Sequence, residues 1–280
     1  MRPAATAAKQ CWTASFSLFF PDECRLCEKP LREVSRIPVC AGCLNKPRRF
    51  ATECFCPRCG APFRHAIALD GDGSCGECAG RDTGFDAAYA FGPFDGELRG
   101  LIHLFKYGRV EALAKPLGRM LSLALPAGER FEAIVPMPLH WRRRWSRGFN
   151  QAGLLARELS EATGTGMVQA VRRRRATEAQ ARLSRTARQA NVHGAFIVRR
   201  PAAIAGKRVL LVDDVMTTGA TASACARAMK RAGATHVAAI TLARVGLDFM
   251  LSAGAPEEGA FYSQPHSSGS FEDAQSGSPA

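Results

Sequence analysis

Residues 209–223, VLLVDDVMTTGATAS, run an apolar stretch straight into two adjacent carboxylates, Asp213 and Asp214. Thr217, Thr218, Gly219, Thr221 and Ser223 follow at once. A strand that turns into a helix leaves unbonded backbone N–H groups at the helix start, where the helix dipole favours a phosphate dianion. Gly219 allows the backbone to approach such a ligand closely. Carboxylates beside a phosphate cradle repel the phosphate itself. They make sense when they hold something polar attached to it: sugar hydroxyls, a Mg²⁺, or both. A 5-phosphoribosyl group is such an object. The stretch has neither the GxxxxGK[ST] of a P-loop nor GxGxxG, so the common nucleotide cradles are excluded. The same residues also fit a capped helix after a buried strand, with solvated acids.

A second chemistry lies nearer the N-terminus. Eight of the 11 cysteines form four CxxC pairs before residue 80: CRLC (24–27), CAGC (40–43), CPRC (56–59) and CGEC (75–78). Knuckles at this separation deliver four thiolates to one zinc. Sequential pairing gives the ligand sets Cys24, Cys27, Cys40, Cys43 and Cys56, Cys59, Cys75, Cys78; a crossed pairing is equally compatible with the spacing. Either way protein fills every zinc position, so the sites are structural. Cys11, Cys54 and Cys225 are left over. An odd total, with eight thiols paired at metal-ligand spacing, points to a reducing, cytoplasmic environment rather than a secreted disulfide scaffold.

The third signal is cationic. Against 25 Asp and Glu stand 38 Lys and Arg, a formal net charge of +13. The arginines concentrate in WRRRWSRGFNQ (141–151), VRRRRATEAQARLSRTARQ (171–189) and VRR (198–200). Such a field favours phosphorylated small molecules or nucleic acid, although any single run also serves as a solvated surface. Arg142, Arg143, Arg144 and Arg147 offer forked donors suited to phosphate oxygens, and Asn150 caps or orients the turn. Trp141 and Trp145 are placed to stack on bases or to pack on the sheet.

These groups need a scaffold, and residues 85–245 supply an alternating one. Strands are expected at 86–94, 131–138, 195–200, 207–214 and 236–243. Helices are expected at 97–108, 111–125 (kinked or restarted at Pro116), 151–163 and 220–233. Lys106 falls near the polar side of the first helix, and His103 reads as structural. Residues 21–80 read as a metal-stapled module and 1–20 as a short N-terminal helix or tail. The Ser/Gly/Pro-rich stretch 248–280 reads as disordered. No run is long enough to span a bilayer.

VLLVDDVMTTGAT resembles the 5-phosphoribosyl 1-pyrophosphate (PRPP) motif of type I phosphoribosyltransferases. FFPDECRLC (19–27), the four CxxC pairs, LIHLFKYGR (101–109), VPMPLHWRRRWSRGFNQA (135–152) and RRRATEAQARLSRTARQANVHGAF (173–196) extend the resemblance to the ComF family. That family combines a double zinc ribbon with a phosphoribosyltransferase-like domain and is associated with competence. The resemblance implies an α/β fold: a parallel-sheet type I phosphoribosyltransferase-like domain at 85–247 behind a double zinc ribbon at 21–80. It gives Asp213 and Asp214 the ribose hydroxyls, and Thr217, Thr218, Gly219 and Thr221 the 5′-phosphate. Lys106, Arg147 and Asn150 go to the pyrophosphate side. Residues 173–193, with Arg174, Thr177, Gln180, Leu183, Arg188 and Asn191, become a flexible loop that closes over PRPP. It implies structural zinc at two sites and Mg²⁺ with PRPP. The expected role is support of DNA uptake in natural transformation, with phosphoribosyl transfer and pyrophosphate release as the reaction. A non-catalytic PRPP sensor or scaffold, or a single-stranded DNA-binding accessory working with uptake-machinery proteins, are the alternatives.

Overall fold

Among the described residues before position 80, few find regular backbone partners. The computed structural model describes residues 23–31, 35–52, 54–63, 73–76, 78–79, 82–139, 148–174 and 194–245. The expected helix at 1–20, the tail at 248–280, the run 140–147 and most of the expected flexible loop lie outside these residues. Among its described residues the cysteine region holds one short helix, α1 (Ala41–Asn45), and a small hairpin of β1 (Cys54–Phe55) and β2 (Pro62–Phe63).

The remainder is a wound α/β layer structure. It runs β3 (Ala87–Pro93), α2 (Gly96–Lys106), α3 (Ala114–Ala124), β4 (Ala133–Pro136), α4 (Gln151–Thr163), β5 (Val171–Arg173), β6 (Phe196–Val198), β7 (Arg208–Met216), α5 (Ala220–Arg231) and β8 (His236–Arg244). Four strands form one sheet in the order β3-β8-β7-β4, every neighbouring pair parallel. A parallel sheet needs helices on both faces, and strands buried on both sides read as continuous apolar runs. VLLV and VAAI are such runs, and all eight residues are essentially inaccessible.

Alternation along β7 sorts the core into two halves. Leu210 and Val212 share a cluster with Leu98, Leu101, Ile102 and Phe105 of α2 and with Leu155 and Leu159 of α4. Val209 and Leu211 share the other cluster with Cys225, Ala226 and Met229 of α5. The α2 residues recur at i, i+3, i+4 and i+7, the stripe that lets one helix face bury against a sheet. Each fully buried leucine contributes about 1.5–3 kcal/mol relative to exposure. Helix α4 closes at Gly164, whose φ of 73° gives the left-handed turn that ends many helices.

Three expectations change. Pro116 does not kink a helix: a 3₁₀ turn at Glu111–Leu113 precedes α3, and Pro116 falls in the first turn, where its missing N–H costs nothing. The strand expected at 195–200 pairs antiparallel with β5 and forms a separate ribbon outside the parallel sheet. Strand β7 runs two residues past Asp214, so both acids sit inside the strand rather than at its end.

Candidate functional site

Because β7 continues through both acids, its alternation sends them to opposite faces. Asp214 lies on the α2 side and is 8% exposed. Its Oδ1 is 2.8 Å from the Lys106 ammonium, the last residue of α2. Lys106 is therefore a half-buried counter-ion and not an exposed helix-terminal lysine. Asp213 lies on the α5 side, half-buried, and its Oδ1 accepts from the Asp214 backbone N–H at 2.9 Å. Burial, then the Asp214 charge, push Asp213 up to about 7, against the Asp214 N–H and the cations Lys106 and Arg173. Beneath it, burial and then the Asp213 charge push the Cys225 thiol far above its ordinary range, which leaves that cysteine an inert core group.

A cavity of about 240 Å³ opens at the carboxyl end of the sheet, where wound α/β folds bind ligands. Lys106, Asp213, Asp214, Thr217, Gly219 and Thr221 all line it. Thr218 is exposed at its rim, with its Oγ1 accepting from the Ala220 N–H at 3.4 Å. Gly219 caps α5 with a φ of 73°, and a side chain there would press on the Phe85 ring. The strand, the positive-φ glycine and the helix start thus bring Ala220, Thr221 and Ala222 into the cavity wall beside the two acids.

Asn150 lines an adjoining cavity of about 430 Å³, together with Gln169, Arg172, Arg173 and Arg199. It occupies the position before α4 without capping it; its amide instead donates to the Met137 carbonyl and holds the end of β4. Arg174 is exposed where the chain leaves β5, with its N–H bonded to Ala195. Arg147, Gln180 and Arg188 lie outside the described residues.

Two lining residues were not singled out from the sequence. Arg173 is 8% exposed, lines both cavities, and places its guanidinium 5.4 Å from the Phe196 ring centroid. Inside VRRRR nothing distinguishes it from its neighbours; alternation in the β5–β6 ribbon turns it inward. Thr241 is opposite Asp213 in the β7–β8 register and is 1% exposed. One hydroxyl in the apolar run HVAAITLA was its only signal.

The eight CxxC cysteines form two tetrads, Cys24/Cys27/Cys40/Cys43 and Cys56/Cys59/Cys75/Cys78, each with its sulfurs within 4.8 Å of one another. This is the sequential pairing. Zn–S bonds of about 2.3 Å in a tetrahedron separate sulfurs by about 3.8 Å. Cys27 and Cys40 are 3.7 Å apart and Cys59 and Cys75 3.6 Å, too far for disulfides and right for zinc. Backbone N–H groups of Cys40, Cys43 and Cys75 point at sulfurs at 3.3–3.4 Å. Burial opposes ionisation of Cys24, but the N–H groups of Cys40, Leu26 and Cys27, with the Cys27 thiol, bring it down to about 6. The Cys78 thiol and then, against burial, the Arg244 charge bring Cys59 down to about 5. Burial holds Cys43 up, and Cys75 up to about 11. Each tetrad so gathers more thiols than can ionise together, a conflict that a bound cation resolves. Cys54 belongs to neither tetrad.

The second tetrad is tied to the sheet beside the site. Arg244, at the end of β8, donates to the Cys59 carbonyl and places Nη1 3.5 Å from the Met216 sulfur. Met216 lines the cavity and immediately precedes Thr217.

Comparison with known proteins agrees with both halves. The double zinc ribbon domain family matches residues 15–79, and the phosphoribosyl transferase domain family matches residues 146–251. The chain is 33% identical to DNA utilization protein YhgH of Escherichia coli K12 over 234 residues, 81% of this chain and 99% of that protein. It is 30% identical to competence protein F of Haemophilus influenzae over 234 residues, 81% of this chain and 98% of that one. Among solved structures, an allosteric regulatory enzyme of purine biosynthesis aligns over 47% of this chain and 26% of its own, at 22% identity and a TM-score of 0.34. The identity of 30–33% over nearly the full length of these relatives, with both family segments present in this chain, decides the matter: the chain belongs to the ComF family, alongside DNA utilization protein YhgH and competence protein F.

Proposed function

We propose that this protein binds PRPP at the carboxyl end of its sheet and supports the handling of incoming DNA, with phosphoribosyl transfer as its chemistry. The observation that carries the reading is the single cavity shared by Asp213, Asp214, Lys106 and the Thr217–Thr221 turn. In it the acids accept the ribose hydroxyls. The amides at the start of α5, with the threonine hydroxyls, take the 5′-phosphate. Arg173 and Lys106 face the developing negative charge of the pyrophosphate, and Arg147 and Asn150 belong to the loop on that side. Mg²⁺ bound with the donor would offset the negative charge of the leaving pyrophosphate. In the transfer the C1–O bond to pyrophosphate breaks and its electron pair leaves with pyrophosphate. The lone pair of a nucleophilic acceptor forms the new bond to C1. Arg174, Gln180 and Arg188 belong to the loop that would exclude water while C1 is cationic. DNA handling rests on the relatives' names, DNA utilization protein and competence protein, and on the net charge of +13.

Equilibrium dialysis with labelled PRPP, with and without Mg²⁺, tests the donor. Saturable binding is expected, and no binding ends the reading. Pyrophosphate release across a panel of bases then separates a transferase from a PRPP sensor.

A further inference from the structure

The outer face of α2 carries Arg99, His103 and Tyr107 at successive i+4 positions, one exposed ridge opposite the buried Leu98–Phe105 stripe. Phe94 begins the row. Its ring centroid lies 6.2 Å from that of His103, which lies 5.4 Å from that of Tyr107, and the Arg99 guanidinium sits 5.9 Å from the Phe94 centroid. Tyr107 is 64% exposed. Solvent therefore reaches an aromatic ladder interleaved with a cation.

A groove of about 630 Å³ runs beside the ladder. Its floor is low because Gly96, Gly100 and Gly108 carry no side chains, and its far wall is Arg25 and Leu26 of the first zinc knuckle. Leu26 sits so close over Gly100 that a Cβ there would lie 2.6 Å from its Cδ2, so the wall is fixed to the helix. Of the acids on these elements, Glu97 is engaged by Lys46 at 3.0 Å, and Asp95, Glu23 and Glu28 are exposed.

We infer that this groove is a single-stranded nucleic-acid site: bases stack on Tyr107 and His103, and the flanking phosphates pair with Arg25 and Arg99. Alternating rings and guanidiniums are the chemistry of sequence-tolerant single-strand binding, with rings for the base faces and cations for the backbone. An apolar peptide would leave both arginines unanswered, and duplex DNA keeps its base faces stacked inside. The site lies on the outer face of the helix whose last residue, Lys106, lines the phosphosugar cavity. The inference rests on the DNA-handling part of the proposed function and is independent of PRPP binding.

The test is fluorescence anisotropy with a labelled oligothymidylate over a salt series, using the full zinc-loaded chain. The proteins are wild type, Tyr107→Ala/His103→Ala and Arg25→Ala/Arg99→Ala, with PRPP binding measured on each as the control for folding. The aromatic pair should lower affinity at least about tenfold without altering the salt slope, since stacking releases no counterions. The arginine pair should lower affinity and reduce the slope by about 1.4, at about 0.7 per phosphate contact on a single strand. If wild type does not bind the oligonucleotide, the DNA reading and the groove fall together while PRPP binding stands. If wild type binds and both variants match it, the groove alone is overturned. Loss on replacing Arg172 to Arg175 by alanine would then locate the contact at the β5–β6 ribbon.

Discussion

The Lys106 ammonium lies 2.8 Å from the Asp214 carboxylate, with side-chain exposures of only 16% and 12%. This pair ties the end of α2 to β7 and offsets the charge of two acids that are adjacent in one strand. Removing one partner of such a pair strands a charge at a cost of about 3–5 kcal/mol. Lys106→Met should therefore lower the unfolding free energy by about 3 kcal/mol in urea denaturation, and Lys106→Arg should recover most of it. Lys106→Met should also weaken PRPP binding at least about tenfold, because the cavity loses a cation. Unchanged stability and affinity would mean that the pair is incidental.

Asp213 titrates near neutrality. Its folded value of about 7 lies above the unfolded value of about 3.9, so the folded state holds a proton that the unfolded chain has released between these pH values. Stability then falls as pH rises from about 4 to about 7, and levels off above that. Asp213→Asn should flatten this dependence in denaturation curves recorded across that window. If ionised Asp213 accepts ribose hydroxyls, PRPP binding strengthens from pH 6 to pH 8, and the Asn variant loses that rise. An identical pH profile for both proteins would remove Asp213 from the account.

Metal analysis should return two zinc ions per chain, one for each tetrad. Cys43→Ser should lower the count to one and spare the second tetrad, and Cys78→Ser should do the reverse. Loss of both ions from either single variant would contradict independent sites. Chelation should melt residues 23–79 before the sheet, visible as early hydrogen exchange at Cys40 and Cys75, whose amides point at thiolates.

Gly60 holds the third knuckle, CPRC (56–59), against the sheet edge. Its φ is +66°, and a Cβ there would lie 2.1 Å from the Ala88 carbonyl oxygen of β3. Gly60→Ala should lift the knuckle, break the Arg244 contact with Cys59, and cost about 2–3 kcal/mol from strain and lost packing. Faster zinc release to a chelator would report the same displacement. Wild-type release and stability would show that the knuckle does not depend on that close approach.

Much of the scaffold was legible because its signals are local. The bounds 151–163 emerge unchanged as α4, since the apolar period and the following glycine both mark them. The run VLLV could only be a strand buried on two faces. Its end lies beyond the expected Asp214 because adjacent acids read as a strand stop, whereas pairing with β8 carries it through to Met216. The β5–β6 ribbon was invisible as such, because FIV reads alike in a parallel sheet and in an isolated hairpin. The same limit applies at the site. Asp213, Asp214, Thr217, Gly219 and Thr221 sit in one continuous stretch, so their proximity was readable. Arg173 and Thr241 arrive from other strands through register and alternation, and Arg244 through the docking of the cysteine module. Those are tertiary facts, and no local pattern announces them.

Calorimetric titration of PRPP with Mg²⁺ into wild type and into Asp213→Asn/Asp214→Asn puts the central claim most directly, with both proteins checked first for equal zinc content and cooperative unfolding. The account predicts saturable one-site binding by wild type and at least a hundredfold weaker binding by the double variant, about 2.7 kcal/mol for two lost hydroxyl contacts. Equal affinity in the two proteins, or no heat of binding in wild type, would contradict it.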